Sequence, residues 1–194
     1  MNFTVLKSKR KTISITIDEL GKVIVKAPLN MPNEYIYNFI KAKQGWIDKH
    51  LTKKASVNSE FYEVLAKNKG LLYGKPVDFN SDYIKICKLL ANEYLPERLS
   101  YLASAYGFSY NGVKIKNYKS RWGACDKNKN IYLNYKLVML NKDLIDYVIL
   151  HELCHTKYFN HQKSFHNLLS SFYKNEKLIK NELKKYTFIN KIEY

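Results

Sequence analysis

The sequence predicts an α+β fold: an N-terminal β-hairpin and small sheet with helices, then a helical C-terminal part packed on a short antiparallel sheet. Three observations carry this expectation. Alternating apolar residues dominate the start of the chain, helical apolar spacing dominates its end, and two strand-like stretches lie between them. The 194 residues suffice for a single domain over 1–194, with an N-terminal α/β lobe over about 1–80 and a second lobe over about 81–194. With 46% hydrophobic and 26% charged residues, the composition is globular rather than disordered or fibrous.

Ile13, Ile15 and Ile17 alternate with Ser and Thr, and Asp18 to Lys22 turn the chain into Val23-Ile24-Val25, which reads as a hairpin with one buried face. After Pro32 the spacing becomes helical through Tyr35, Ile36, Phe39 and Ile40, then Trp46, Ile47 and Leu51. Residues 52–69 are polar and read as a loop with some helix, and Leu71 to Val77 as a short hairpin. Ile86, Leu89, Leu90, Leu95, Leu99 and Leu102 mark a long helix over about Tyr83 to Tyr106, which Pro96 should kink or split because it lacks a backbone donor. Gly112 to Tyr118 and Asn130 to Tyr135 are the two strands, flanking Ser120-Arg121-Trp122-Gly123-Ala124-Cys125. Asn141 suits a helix cap and Asp143 a first turn, opening a helix through Leu144, Ile145, Val148 and Ile149 to His155. A further helix starts near Asn160 with Phe165, Leu168, Leu169 and Phe172, and a last amphipathic stretch carries Leu178, Ile179 and Leu183.

Thirty-three Lys and Arg against seventeen Asp and Glu leave a net charge of +16. That excludes an acidic solvating protein and suits polyanionic partners such as nucleic acid or nucleotide phosphates, although lysine used only for solubility gives the same total. Cys87, Cys125 and Cys154 are widely spaced and form no CxxC pair, so a disulfide framework is not expected and a reducing, cytoplasmic setting is. No apolar run approaches the ~20 residues that cross a bilayer, and the N-terminus places its charge after its apolar stretch, the reverse of a signal peptide.

His151-Glu152-Leu153-Cys154-His155 carries the chemistry. Residues four apart on a helix share a face, so His151 and His155 can grip one metal ion while Glu152 reaches the water to be activated. The five letters alone recur by chance. Here they follow the apolar run Tyr147-Val148-Ile149-Leu150, which reads as buried, and polar groups there need compensation that a metal supplies. Two imidazoles under-coordinate an ion, so a third ligand is expected. His161 is the leading candidate, folded back by a turn at Phe159-Asn160, and Glu176 is its rival. His166 lies about 140° around a helix from His161 and should point elsewhere; His50 reads as a surface residue. Three imidazoles with an open position describe a catalytic site suited to one Zn²⁺, or to another first-row ion, rather than to Mg²⁺.

Together with Ser120 to Cys125, Ile131-Tyr132-Leu133-Asn134, Ile145-Asp146-Tyr147-Val148 and Asn160-His161 with Phe165, the motif resembles the YgjP-like metal-dependent hydrolases, relatives of the SprT-like zincin proteases. The N-terminal hairpin and Trp46-Ile47 are similar too, so the resemblance covers nearly the whole chain. It implies His151, His155 and His161 as ligands and Glu152 as catalytic base. Cys154 stands where Ala is usual and His166 where Trp is usual, and neither change removes a ligand. Tyr158 occupies the place of the metzincin Gly, so that subclass is excluded.

Lys114, Lys116, Lys119, Arg121, Lys127 and Lys129 form a basic stretch interleaved with Tyr110, Tyr118, Trp122 and Tyr132. It reads either as an anion-gripping strand and loop or as a solvated strand face, and the resemblance places Arg121 and Trp122 near the site. Substrate-binding candidates are thus Arg121, Trp122, Lys114, Lys116 and Lys119. The leading expectation is a zinc metallopeptidase acting on an extended peptide. A UTP-like nucleotide pyrophosphatase is the alternative that the resemblance allows, and a nucleic-acid-associated SprT-like protein is the third reading.

Overall fold

The computed structural model describes residues 3–17, 22–52, 69–78 and 80–191. The expected loop over 52–69 falls almost wholly outside them. The chain divides into two compact units, Met1–Glu60 and Phe61–Tyr194.

In the first unit, β2 (Ser14–Ile17) pairs antiparallel with β3 (Val23–Pro28), as the alternation of isoleucines predicts. A strand the sequence reading did not assign, β1 (Phe3–Ser8), joins the other side of β3 in parallel. Helix α1 (Asn33–Ala42) and the helical residues 44–52, α2, close over this sheet. Their Ile36, Ile40 and Ile47 meet Val23, Val25 and Ala27 in a separate small core.

In the second unit, β4 (Lys69–Leu72) and β5 (Lys75–Asp78) form the expected hairpin. Its two-residue turn has positive φ at both Tyr73 (49°) and Gly74 (78°), the combination a type I′ turn requires. Helix α3 (Tyr83–Ala105) runs unbroken through Pro96, so the expected split does not occur. Leu95 and Leu99 on either side are fully buried. Two such burials, each worth about 1.5–3 kcal/mol, offset the roughly 3 kcal/mol that an interior proline costs. The buried stripe of α3 is Tyr83, Cys87, Ala91, Leu95, Leu99 and Leu102, while Ile86 and Leu89 face outward.

The second sheet has strand order β6-β8-β7, from β6 (Gly112–Lys116), β7 (Gly123–Cys125) and β8 (Asn130–Asn134). The two strands read from the sequence, β6 and β8, pair in parallel rather than antiparallel, and β7 adds antiparallel to the other side of β8, which makes the sheet mixed. Strand β7 lies inside the segment that sequence reading left between strands. Helix α4 (Lys142–His155) begins at Asn141, whose Oδ1 accepts from the Leu144 N–H at 3.0 Å as the cap predicted. From Leu144 to Cys154 all but Asp146 and His151 are buried, so α4 is enclosed on nearly every side. Helices α5 (Lys163–Phe172) and α6 (Glu176–Lys185) follow, with α5 starting three residues later than the sequence suggested. The outcome is the α+β class read from the sequence.

Candidate metal centre and adjoining cleft

One turn of α4 separates His151 from His155, and their rings lie 4.9 Å apart. The chain leaves α4 at His155 and returns at α5, and His161 sits in that connection rather than on the helix. Its Nε2 lies 3.1 Å from the Nε2 of His151. One nitrogen from each of His151, His155 and His161 falls within 4.8 Å of the other two. The fully buried Phe165 ring touches all three imidazoles, with centroids at 4.9, 4.6 and 4.7 Å.

The donors have the chemistry and spacing of a first-row metal site. Two nitrogens at 2.0–2.1 Å from a tetrahedral zinc would stand about 3.3–3.4 Å apart, close to the observed 3.1 Å. His155 Nδ1 lies 3.0 Å from the Tyr158 carbonyl, which only accepts. That contact puts the proton on Nδ1 and leaves Nε2 a bare lone pair, the orientation outer partners give metal-binding histidines. Burial pushes His151 down to about 3, with His155, His161, Lys180 and His166 adding in that order. Burial likewise lowers His155 and His161. All three imidazoles are therefore neutral near pH 7 and available as donors.

Glu176, the rival ligand, is engaged elsewhere. Tyr147 Oη donates to its Oε1 at 3.5 Å, while Ser170 Oγ donates to Oε2 at 3.4 Å and His166 Nδ1 lies 3.3 Å from Oε2. His50 stacks on Trp46 in the first unit.

Glu152 is buried, and burial raises its carboxyl to about 8 against the opposing charge of Arg121. Strand β7 lies flush against it. A Cβ placed on Gly123 would come within 2.7 Å of Glu152 Cγ and Oε1, so any side chain there would have to push the Glu152 carboxyl aside. Asn134 holds the segment leading into β7: its Nδ2 donates to the carbonyls of Tyr118 (2.9 Å) and Arg121 (3.1 Å), and its backbone N–H to that of Trp122 (2.8 Å). The sequence reading missed both Gly123 and Asn134. An isolated glycine in a strand does signal close backbone approach, but nothing local says what approaches.

Beside Glu152 opens a cleft of about 250 Å³ lined by Arg121, Trp122, Gly123, Tyr147, Val148, His151, Glu152, Lys180 and Leu183. Of the five substrate-binding candidates, Arg121 and Trp122 line it, and Lys114, Lys116 and Lys119 do not. Lys114 and Lys116 project from β6, across β8 from β7, and Lys116 sits over the Tyr132 ring. Lys180, which nothing local distinguishes from the other lysines of α6, is in the lining instead.

The family described as YgjP-like, metallopeptidase domain, matches residues 11–83 and 69–186. No curated protein matches the chain. Two solved structures are similar over about half of it. The metallopeptidase zymogen jannalysin of Methanocaldococcus jannaschii is 26% identical, covering 46% of this chain and 91% of its own, with a TM-score of 0.41. The metallopeptidase zymogen abylysin of Pyrococcus abyssi is 20% identical, covering 52% of this chain and 99% of its own, with a TM-score of 0.43.

Proposed function

The chain belongs to the YgjP-like metallopeptidase family and is thus a metal-dependent hydrolase, and from that premise we propose that it is a zinc peptidase with Glu152 as its general base. His151, His155 and His161 are the proposed ligands of one Zn²⁺, and the convergence of their three nitrogens within 4.8 Å is the observation that carries the reading. Zinc held there supplies Lewis acidity toward a peptide carbonyl and brings the ionisation of water toward neutral pH. The remaining work falls to the chain. Glu152 takes the proton of the attacking water on its carboxylate and delivers it to the departing amine. The Nδ1–H of His155, donated to the Tyr158 carbonyl, fixes its ring.

Among the described residues strand β7 is an edge of its sheet and packs against α4, so an extended peptide added to its free side would run past Glu152 with its backbone paired. Residues 1–194 are taken as one catalytic domain, and the three free cysteines are consistent with a cytoplasmic setting.

The test pairs the zinc-loaded chain with Glu152→Gln on a denatured protein and on UTP. Wild type should cleave peptide bonds, and Glu152→Gln should keep its zinc but lose turnover. Undiminished proteolysis by Glu152→Gln would remove the base, and pyrophosphate release from UTP without proteolysis would replace the peptidase by a nucleotide hydrolase.

A further inference from the structure

The cleft beside Glu152 brings two cations from separate elements together, Arg121 from the segment entering β7 and Lys180 from α6. Both are exposed, and among the described residues neither forms an ion pair. Glu152 is the one carboxyl group among the lining residues, buried and opposed to the charge of Arg121, while Asp146 is committed to Arg98, Glu182 to Lys185, and Glu176 to Tyr147, His166 and Ser170. Arg121 rests over the Tyr118 ring at 5.7 Å, a contact that orients the guanidinium without neutralising it. A single buried carboxyl group does not balance two cations, and an incoming anion would offset the excess positive charge of the cleft. Apart from His151 and Glu152 on the side of the metal centre, the wall is mainly apolar, from Trp122, Tyr147, Val148 and Leu183. An occupant that satisfies both halves has a hydrocarbon stem and a carboxylate end.

Resting on the peptidase reading, we propose that this cleft selects a carboxylate of the peptide substrate, so that the cleaved bond lies next to an acidic side chain or near a free C-terminus. The two sources share one chemistry, since a glutamate side chain and a terminal carboxylate both present a planar anion that a guanidinium can grip through two N–H groups. The cleft's place beside Glu152 sets the distance between that anion and the reacting bond.

The experiment uses the full-length zinc-loaded chain and end-blocked peptides that differ at one position, which carries Glu, Gln or Lys and is moved stepwise across the cleaved bond. A second set carries Gln throughout but has a free C-terminus. At one position, Glu should be cleaved with about fivefold to tenfold higher kcat/KM than Gln, or the free C-terminus should give the same advantage over the blocked one. Lys180→Glu, a change on the exposed face of α6, should erase that ratio or turn it toward Lys. Calorimetry on zinc-loaded Glu152→Gln provides a readout without turnover. The acidic or free-ended peptide should bind about fivefold more tightly than its neutral counterpart, and addition of Lys180→Glu should remove the difference.

Cleavage of every peptide with no charge preference would overturn the cleft assignment and leave the peptidase standing. A preference that persists unchanged in both Lys180→Glu and Arg121→Gln would overturn it as well. Charge-selective binding to Glu152→Gln without cleavage by wild type would uphold the cleft while removing the peptidase.

Discussion

Gly123→Ala tests the geometry on which the proposed role of Glu152 depends. The added methyl carbon would lie 2.7 Å from Glu152 Cγ and Oε1 and 2.9 Å from Cδ, where carbon contacts normally settle at about 3.5–4.0 Å. About 1 Å must open. Strand β7 cannot supply it freely, because Ala124 and Cys125 are in register with Tyr132 and Ile131 of β8. Helix α4 is held too, since Leu153 and Cys154 beside Glu152 are fully buried. The yielding part is the Glu152 side chain, which must turn away from the place where it would meet the water. Overpacking of this kind costs about 1–3 kcal/mol of stability, and a displacement of about 1 Å in a catalytic group costs on the order of 100-fold in rate. Proteolysis of a denatured substrate should accordingly fall about 100-fold, chiefly in kcat, while bound zinc stays at the wild-type level because the imidazoles are untouched. A Gly123→Ala chain that is folded, zinc-loaded and within twofold of wild-type rate would show that Glu152 does not act from this position.

Glu176→Ala should retain one zinc per chain by metal analysis, and loss of the ion would restore that carboxylate as a ligand. Asp146→Ala breaks the two-pronged bond from Arg98 (2.7 and 2.6 Å) that ties α3 to α4, and should lower stability in urea by about 2 kcal/mol. For the chelated chain, the buried histidines and Glu152 make pH act in opposite directions. His151, near 3 when folded against about 6.5 unfolded, contributes stability that is complete above about 6.5 and lost as pH falls toward 3, by about 1.4 kcal/mol per pH unit. Glu152, raised to about 8 against about 4.3 unfolded, contributes with the opposite sign between those values. The wild-type curve between pH 4.5 and 6.5 should therefore be flatter than that of chelated Glu152→Gln, whose urea midpoint should drop with falling pH; equal slopes would refute the pairing.

What the sequence made legible was periodic. His151 and His155 are visible because four residues make roughly one helical turn, and Asn141 because a cap acts within three residues. The isoleucine alternation exposed β2 and β3 for the same reason. Contacts between distant segments left no such trace. Strand β7 has three residues, too few to alternate, and Gly123 gains its meaning only where β7 meets α4. Lys180 looks like its lysine neighbours until α6 brings it to the cleft. In α3 the apolar residues that mark the helix divide between faces, since Leu95, Leu99 and Leu102 are buried with Cys87 and Ala91 while Ile86 and Leu89 are exposed.

His161 differs from its two partners in a way that metal binding should report. His151 and His155 are set by α4, whose buried residues fix it within the core. His161 stands outside that helix, exposed, and joins the site through Phe165 and the imidazole of His151. An ion held only by the α4 pair would link nothing new, whereas an ion that also takes His161 ties the α4–α5 connection to the core. Binding restricted to the folded chain adds about 4 kcal/mol at a thousandfold excess over Kd. For chains of this size that raises the melting temperature by roughly 8–16 °C. Zinc should therefore lift the transition of the chelated protein by that amount, and His161→Ala should forfeit most of the rise. If His161→Ala melts with the full zinc-induced gain, the α4 histidines have found another third ligand, and the site as assembled around His161 is wrong.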